Sequence, residues 1–161
     1  MKSTCVCLIT RSDAGVTELL LGLKKRGFGE GRVVAPGGHL EPGETTGQAC
    51  VREIAEEVGI VVEPADLAPA GGVAFRFPTR PEWDLHVALF RTRLFQGEPA
   101  ESDELVPGWY PVEDLPWADM WPDARHWLPR VLAGETIQAE ITLGADGETV
   151  TKAMFHVEHD A

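Results

Sequence analysis

Apolar positions in the first part of the chain fall into two short aliphatic and β-branched runs, residues 4–10 and 18–24, parted by the turn-rich RSDAG. Two such runs about a turn predict a β-hairpin. Glycine-rich pieces follow, GFGEGR and APGG, around a short segment at residues 32–35. The period then becomes helical. Thr45 with Gln48 three positions on has the form of a capping box, no proline interrupts residues 45–58, and Gly59 suits the position just past a helix end. A helix over residues 46–58 is predicted. Strand character returns at 72–77 and 84–95, joined through 78–82, and a loop rich in acids and prolines leads to a short strand at WYPV. DARHWLPRVLAG predicts a second helix, with Asp123 near its start and Gly134 at its end. The tail alternates about Asp146 and Gly147, a hairpin signal. No repeat or linker divides the chain, so residues 1–161 are expected to form one domain of layered α and β structure.

The predicted first helix carries an unusual charge pattern. Glu53, Glu56 and Glu57 are spaced i, i+3 and i+4 and share one face, while Val51, Ile54 and Val58 lie on another. The apolar face is expected to hold the helix against a sheet, with the acidic face aimed outward into a cleft. A run of glutamates is commonly a solvated surface. Here, however, like charges at i, i+4 cost about 0.2–0.5 kcal/mol per pair, and Arg52 is the one basic residue on the helix. A divalent cation such as Mg²⁺, which prefers hard oxygen ligands, relieves the repulsion among these carboxylates and a fourth at Glu44.

Composition narrows the partners. The formal net charge of −12 argues against a nucleic-acid polymer or an anionic membrane surface as the binding partner. No apolar window is long enough to span a bilayer, and the N-terminal MKSTCVCLITRSD turns polar too early for a signal peptide, so a cytoplasmic location is expected; a monomer is expected as well. Cys5, Cys7 and Cys50 sit in apolar runs and are expected to be buried free thiols.

Residues 38–60, GHLEPGETTGQACVREIAEEVGI, resemble the signature of the Nudix family: Gly38, Glu44, Arg52, Glu53, aliphatic Ile54, Glu56, Glu57, Gly59 and aliphatic Ile60, each at the family's spacing. Seven fixed identities at set intervals arise by chance on the order of once in 10⁸ starting positions. The resemblance implies an α/β/α sandwich with a mixed β-sheet and a catalytic loop-helix-loop. It also implies Mg²⁺-dependent (or Mn²⁺-dependent) hydrolysis of a nucleoside diphosphate linked to another group. By it, Glu53, Glu56 and Glu57 bind metal, and one of them or a nearby glutamate orients the attacking water. Arg52 fixes the carboxylates with Glu44 as its partner, and the Gly37 carbonyl completes the metal shell.

Three further stretches, residues 19–32, 100–116 and 119–129, resemble the branch of that family that converts oxidised purine nucleoside triphosphates to monophosphates, which implies a role in nucleotide-pool sanitation. That likeness places Trp121 and Phe75 in a base pocket bordered by Phe28, Asp123 on a purine edge, Lys24 near the mouth and Glu104 as an additional metal ligand. On residue type alone, the aromatics fit a core and Asp123 fits a helix N-cap. Two positions depart from the branch: Val34 stands where it has asparagine, and Ala124 where it has a second acid. Hydrolysis of a dinucleotide polyphosphate or nucleotide sugar is the alternative activity, and a non-catalytic nucleotide-sensing module the alternative class.

Overall fold

The computed structural model describes the backbone of residues 1–158 and the side chains through His156; residues 159–161 of the expected domain lie outside the described residues. Its strands are β1 (Lys2–Asp13), β2 (Val16–Lys24), β3 (Val33–Val34), β4 (Gly37–His39), β5 (Ala68–Arg76), β6 (Leu85–Thr92), β7 (Leu105–Pro111), β8 (Thr136–Leu143) and β9 (Val150–Glu158). The helices are α1 (Thr46–Val58) and α2 (Ala124–Leu132).

β1 organises the sheet because its two ends have different partners. Its C-terminal half pairs antiparallel with β2, its first residues pair antiparallel with β4, and its other edge runs parallel to β6. The order β3-β2-β1-β6-β5-β8-β9 then continues through antiparallel β5–β6, parallel β5–β8 and antiparallel β8–β9, while β7 pairs with β2. This is a mixed sheet. Residues 33–39 cross from the β2 branch to the β1 branch, and that crossing positions the site.

Strand alternation sends side chains to two cores. Cys5, Cys7, Ile9 and Leu20 pack with Ala49, Cys50, Ile54 and Val58 of α1. Leu8, Leu19 and Leu21 pack with Ala124, Trp127, Leu128 and Val131 of α2. One helix covers each face, giving the α/β/α sandwich. The three cysteines are free and buried.

Several bounds differ from the sequence pattern. β1 runs on to Asp13 because residues 10–13 pair with residues 16–19, so partner hydrogen bonds extend a strand through polar residues. β5 begins at Ala68 and passes an irregularity between Pro69 and Gly72; at Gly71 a Cβ would stand 1.7 Å from the Ile137 carbonyl oxygen, and φ is 91°. β7 starts at Leu105, within the stretch expected to be loop, because residues 105–111 zip along β2 and buried Leu105 packs over Gly22.

Candidate active site

Both ends of α1 are fixed locally. The Thr45 hydroxyl accepts from the Gln48 amide at 3.1 Å, the Gln48 side-chain oxygen accepts from the Thr45 amide at 2.9 Å, and Gly59 closes the helix in the left-handed conformation at φ 72°. Ile54 and Val58 are fully buried beneath it, each contributing about 1.5–3 kcal/mol of apolar burial. The carboxylates therefore sit on a rigid mount.

Their exposure is graded, which corrects the expectation of an acidic face turned wholly outward. Glu56 is exposed and Glu53 half-buried, but Glu57 is only 8% exposed and points back at the β1–β4 junction, where it accepts from the Gly37 amide at 2.9 Å. Helical spacing puts three side chains on one face; the sheet edge at residues 37–38 covers part of that face. At Gly38 a Cβ would lie 2.5 Å from the Glu53 carboxyl carbon, so the missing side chain makes the space that Glu53 occupies.

Arg52 neutralises the outer carboxylates. Its Nε and Nη2 each donate to Glu44 at 2.8 Å, Nη1 donates to Glu53 at 2.9 Å and to Glu56 at 3.3 Å, and Nη2 also donates to the His39 carbonyl at 3.1 Å. A planar guanidinium makes this fork where an ammonium could not. The bond from Arg52 and the Glu41 amide hold Glu44 at about 2.

Among the described residues Glu57 has no ion-pair partner of its own. Burial pushes its pKa up to about 8; the Gly37 amide and Lys24 oppose the rise, and the charges of Glu53 and Glu104 add to it. Glu53 is raised as well, first by burial, with Arg52 opposing and Glu56 and Glu104 adding. The charge of Glu104 thus reaches both Glu53 and Glu57 across the gap between α1 and the start of β7. As they stand, no three His, Cys, Asp or Glu side chains among the described residues form a ready metal-binding cluster. The donor set nevertheless fits a hard divalent cation: carboxylate oxygens brought together, mutually repelled and incompletely neutralised.

A second feature lies on the α2 side of the sheet, a cavity of about 220 Å³ whose lining includes Phe28, Phe75, Trp121 and Asp123. Val34 and Ala124 also face it, whereas Lys24 is not among its walls and instead acts on Glu57. Phe28, 78% exposed, stacks on Trp121 with centroids 5.3 Å apart and planes 17° from parallel. Asp123 occupies the N-cap position of α2, but its side chain makes no capping bond; Oδ2 accepts from Trp127 Nε1 at 2.9 Å. This corrects the N-cap reading. Asp123 keeps part of its surface on the cavity, yet its carboxyl is ringed by protein, and burial drives its pKa upward against the Trp127 bond. Among the described residues it is the one ionisable side chain in a lining that is otherwise apolar and aromatic.

Residues 33–39 join the two features. Val33, Val34 and Ala35 line the cavity, and two residues farther Gly37 and Gly38 lie against Glu57 and Glu53. Sequence patterning did not single out Arg32, whose guanidinium stands 4.5 Å over Trp121, nor Leu143, and it marked Gly147 only as a turn residue, although both Leu143 and Gly147 reach the same cavity. Arg32 ends the glycine-rich GFGEGR, and a lone basic residue in a loop carries no signal of stacking. Hairpin residues near the C-terminal end carry none of meeting a loop over a hundred positions earlier.

The family model for the NUDIX domain matches residues 1–131, most of the chain and all of the acidic constellation. The chain belongs to the NUDIX family. This NUDIX hydrolase is 43% identical over 115 residues to the oxidized purine nucleoside triphosphate hydrolase of Danio rerio, an alignment covering 71% of each protein. It is 41% identical, with the same coverage, to the Mus musculus protein of that name. Among solved structures, a MutT protein from Bacillus halodurans matches with a TM-score of 0.79 at 21% identity, covering 96% of this chain and 97% of that one, a likeness of fold. NUDIX hydrolases act on small nucleotide substrates and generally use a divalent metal. Among the described residues no helix is long and apolar enough to cross a membrane.

Proposed function

We propose that this NUDIX hydrolase cleaves oxidised purine nucleoside triphosphates to nucleoside monophosphate and pyrophosphate with Mg²⁺, Mn²⁺ serving as a substitute, and thereby clears damaged precursors from the nucleotide pool. The observation that carries this reading is the join at residues 33–39, which sets an aromatic cavity of base size two residues from the backbone that touches Glu57 and Glu53. One nucleotide spans both features, base in the cavity and phosphates toward α1. The relatives at 43% and 41% identity, named as oxidized purine nucleoside triphosphate hydrolases, support the same substrate class.

In this reading Glu53, Glu56 and Glu57, with Glu104 and the Gly37 carbonyl, hold the metal. Arg52, anchored by Glu44, keeps the outer carboxylates in place. When bound, the cation neutralises phosphate charge and makes water a better nucleophile at neutral pH. A helix glutamate orients that water toward the α–β anhydride, Lys24 faces the phosphates, and their negative charge meets a protein of net charge −12 only where these groups admit it. Phe75 and Trp121, with Phe28 at the rim, line the base pocket, and Asp123 bonds the edge of the base. Val34 and Ala124 add no hydrogen bond to the base, so Asp123 carries the side-chain polar readout alone. The chain works as one domain, as a monomer, in the cytoplasm.

The test is a Mg²⁺-dependent hydrolysis panel of oxidised and unmodified purine triphosphates against dinucleotide polyphosphates and nucleotide sugars. Preferential turnover of the oxidised triphosphates supports the reading; preferential turnover of either other class overturns it in favour of a different NUDIX pyrophosphatase. Absence of turnover with every class points to a nucleotide-sensing module.

A further inference from the structure

Trp121 is held by a chain of contacts that ends outside the region matched to the family. Arg32 places its guanidinium 4.5 Å from the centre of the indole and donates from Nη1 to the carbonyl of Met120, the residue before Trp121, at 3.1 Å. Its Nη2 lies 3.2 Å from Oε1 of Glu148, in the β8–β9 turn. The family match ends at residue 131, so Glu148 belongs to the C-terminal hairpin that follows it.

Glu148 sits on a well-made turn. The Asp146 carboxylate accepts from the amides of Glu148 and Thr149 at 2.9 Å each and from the Thr149 hydroxyl, and Gly147 supplies the left-handed residue at φ 72°. Gly147 itself lines the cavity. The far end of the contact is equally fixed: the Lys24 amide donates to the Arg32 carbonyl and the Arg32 amide to that of Gly29, each at 2.9 Å, and a Cβ on Gly29 would lie 3.0 Å from Trp121 Cζ2. Arg32 therefore bridges two rigid turns over the indole ring that lines the pocket.

We propose that Glu148 is a positioning residue for nucleotide binding: by pairing with Arg32 it holds the guanidinium against Trp121 and fixes the indole at the cavity mouth. This rests on the reading of the cavity as a base pocket. The function of the pair is not global stability. Glu148 is 45% and Arg32 26% exposed at the side chain, and ion pairs this close to solvent contribute little to folding. What the pair changes is the freedom of one aromatic ring, and ordering that ring before the base arrives lowers the cost of binding. A contact that acts on ground-state binding and transition state alike raises KM when removed and leaves kcat unchanged.

The experiment compares Glu148→Gln, Arg32→Gln, the double variant and Trp121→Leu, each with an oxidised purine triphosphate and with a deoxyribose triphosphate that lacks the base. Glu148→Gln is expected to raise KM for the purine substrate about two- to fivefold, in line with the size of exposed ion-pair and cation–π contacts, with kcat, Tm and base-free turnover unchanged. Because Glu148 acts through Arg32, the double variant is expected to match Arg32→Gln. An unchanged KM in Glu148→Gln while Trp121→Leu raises it, or effects of the two charge variants that multiply, overturns the positioning role and leaves the base pocket standing. An unchanged KM in Trp121→Leu overturns both.

Discussion

The backbone amide of Gly37 donates to the carboxylate of Glu57 at 2.9 Å and ties the last acidic turn of α1 to the edge of the sheet. That bond turns Glu57 inward, where it is buried and, among the described residues, has no ion-pair partner. Glu57→Gln keeps an acceptor for Gly37 and removes the charge. The variant is expected to fold normally and to lose metal-dependent turnover by about a hundredfold or more, as expected when a metal-binding carboxylate is neutralised. Near-normal activity with Mg²⁺ returns Glu57 to a structural role.

The same burial makes the metal-free protein sensitive to pH. Glu57 titrates at about 8 in the folded chain against an ordinary 4.5, so between those values the folded state binds more protons than the unfolded one. Its contribution to stability is therefore full below about pH 4.5 and is lost as pH rises toward about 8. Urea melts with a chelator present are expected to show that decline, with Glu57→Gln flattening it. Added Mg²⁺ is expected to restore stability at the alkaline end, where Glu57 is ionised, and to release protons when it binds at lower pH, where the proposed ligand still carries one. Equal slopes in wild type and variant contradict this assignment.

Gly38→Ala tests the space around Glu53. The new methyl would stand 2.5 Å from the carboxyl carbon and 2.7 and 2.8 Å from its oxygens, so the side chain must move. Activity is expected to need roughly tenfold more Mg²⁺, measured as the metal concentration at half-maximal rate. An unaltered metal requirement means that Glu53 binds no metal from this position.

At the proposed base pocket, Asp123→Ala removes the acceptor of Trp127 Nε1 and, with it, the proposed contact to the base edge. Leaving that buried donor unpaired costs about 1–3 kcal/mol. Asp123→Asn retains an acceptor for Trp127 and isolates the readout. Both variants are expected to lose discrimination among purine triphosphates while the Mg²⁺ requirement stays as in wild type. A substrate profile unchanged in both confines Asp123 to holding Trp127.

The acidic site was the part most legible in the sequence, because its signals are local. Thr45 with Gln48 and Gly59 marked the two ends of α1, and the spacing of Glu53, Glu56 and Glu57 fixed their shared side. Which of them is buried was not legible, since the residues that cover Glu57 come from the β1–β4 pairing. The start of β7 is hidden for a related reason: prolines and acids surround Leu105, and its strand is imposed by β2. Asp123 looked like a cap by position, but the indole four residues on takes its carboxylate. Arg32 and Glu148 meet over 116 positions of separation, which no periodicity encodes.

The most direct measurement is the ratio of kcat/KM for 8-oxo-dGTP to that for dGTP with Mg²⁺, with products separated by chromatography. A ratio well above one, with monophosphate and pyrophosphate as the products, is the expected result: the cavity selects the oxidised base and α1 cleaves the α–β anhydride. A ratio at or below one, or release of orthophosphate with diphosphate, contradicts that reading of the cavity and of the bond that is cut.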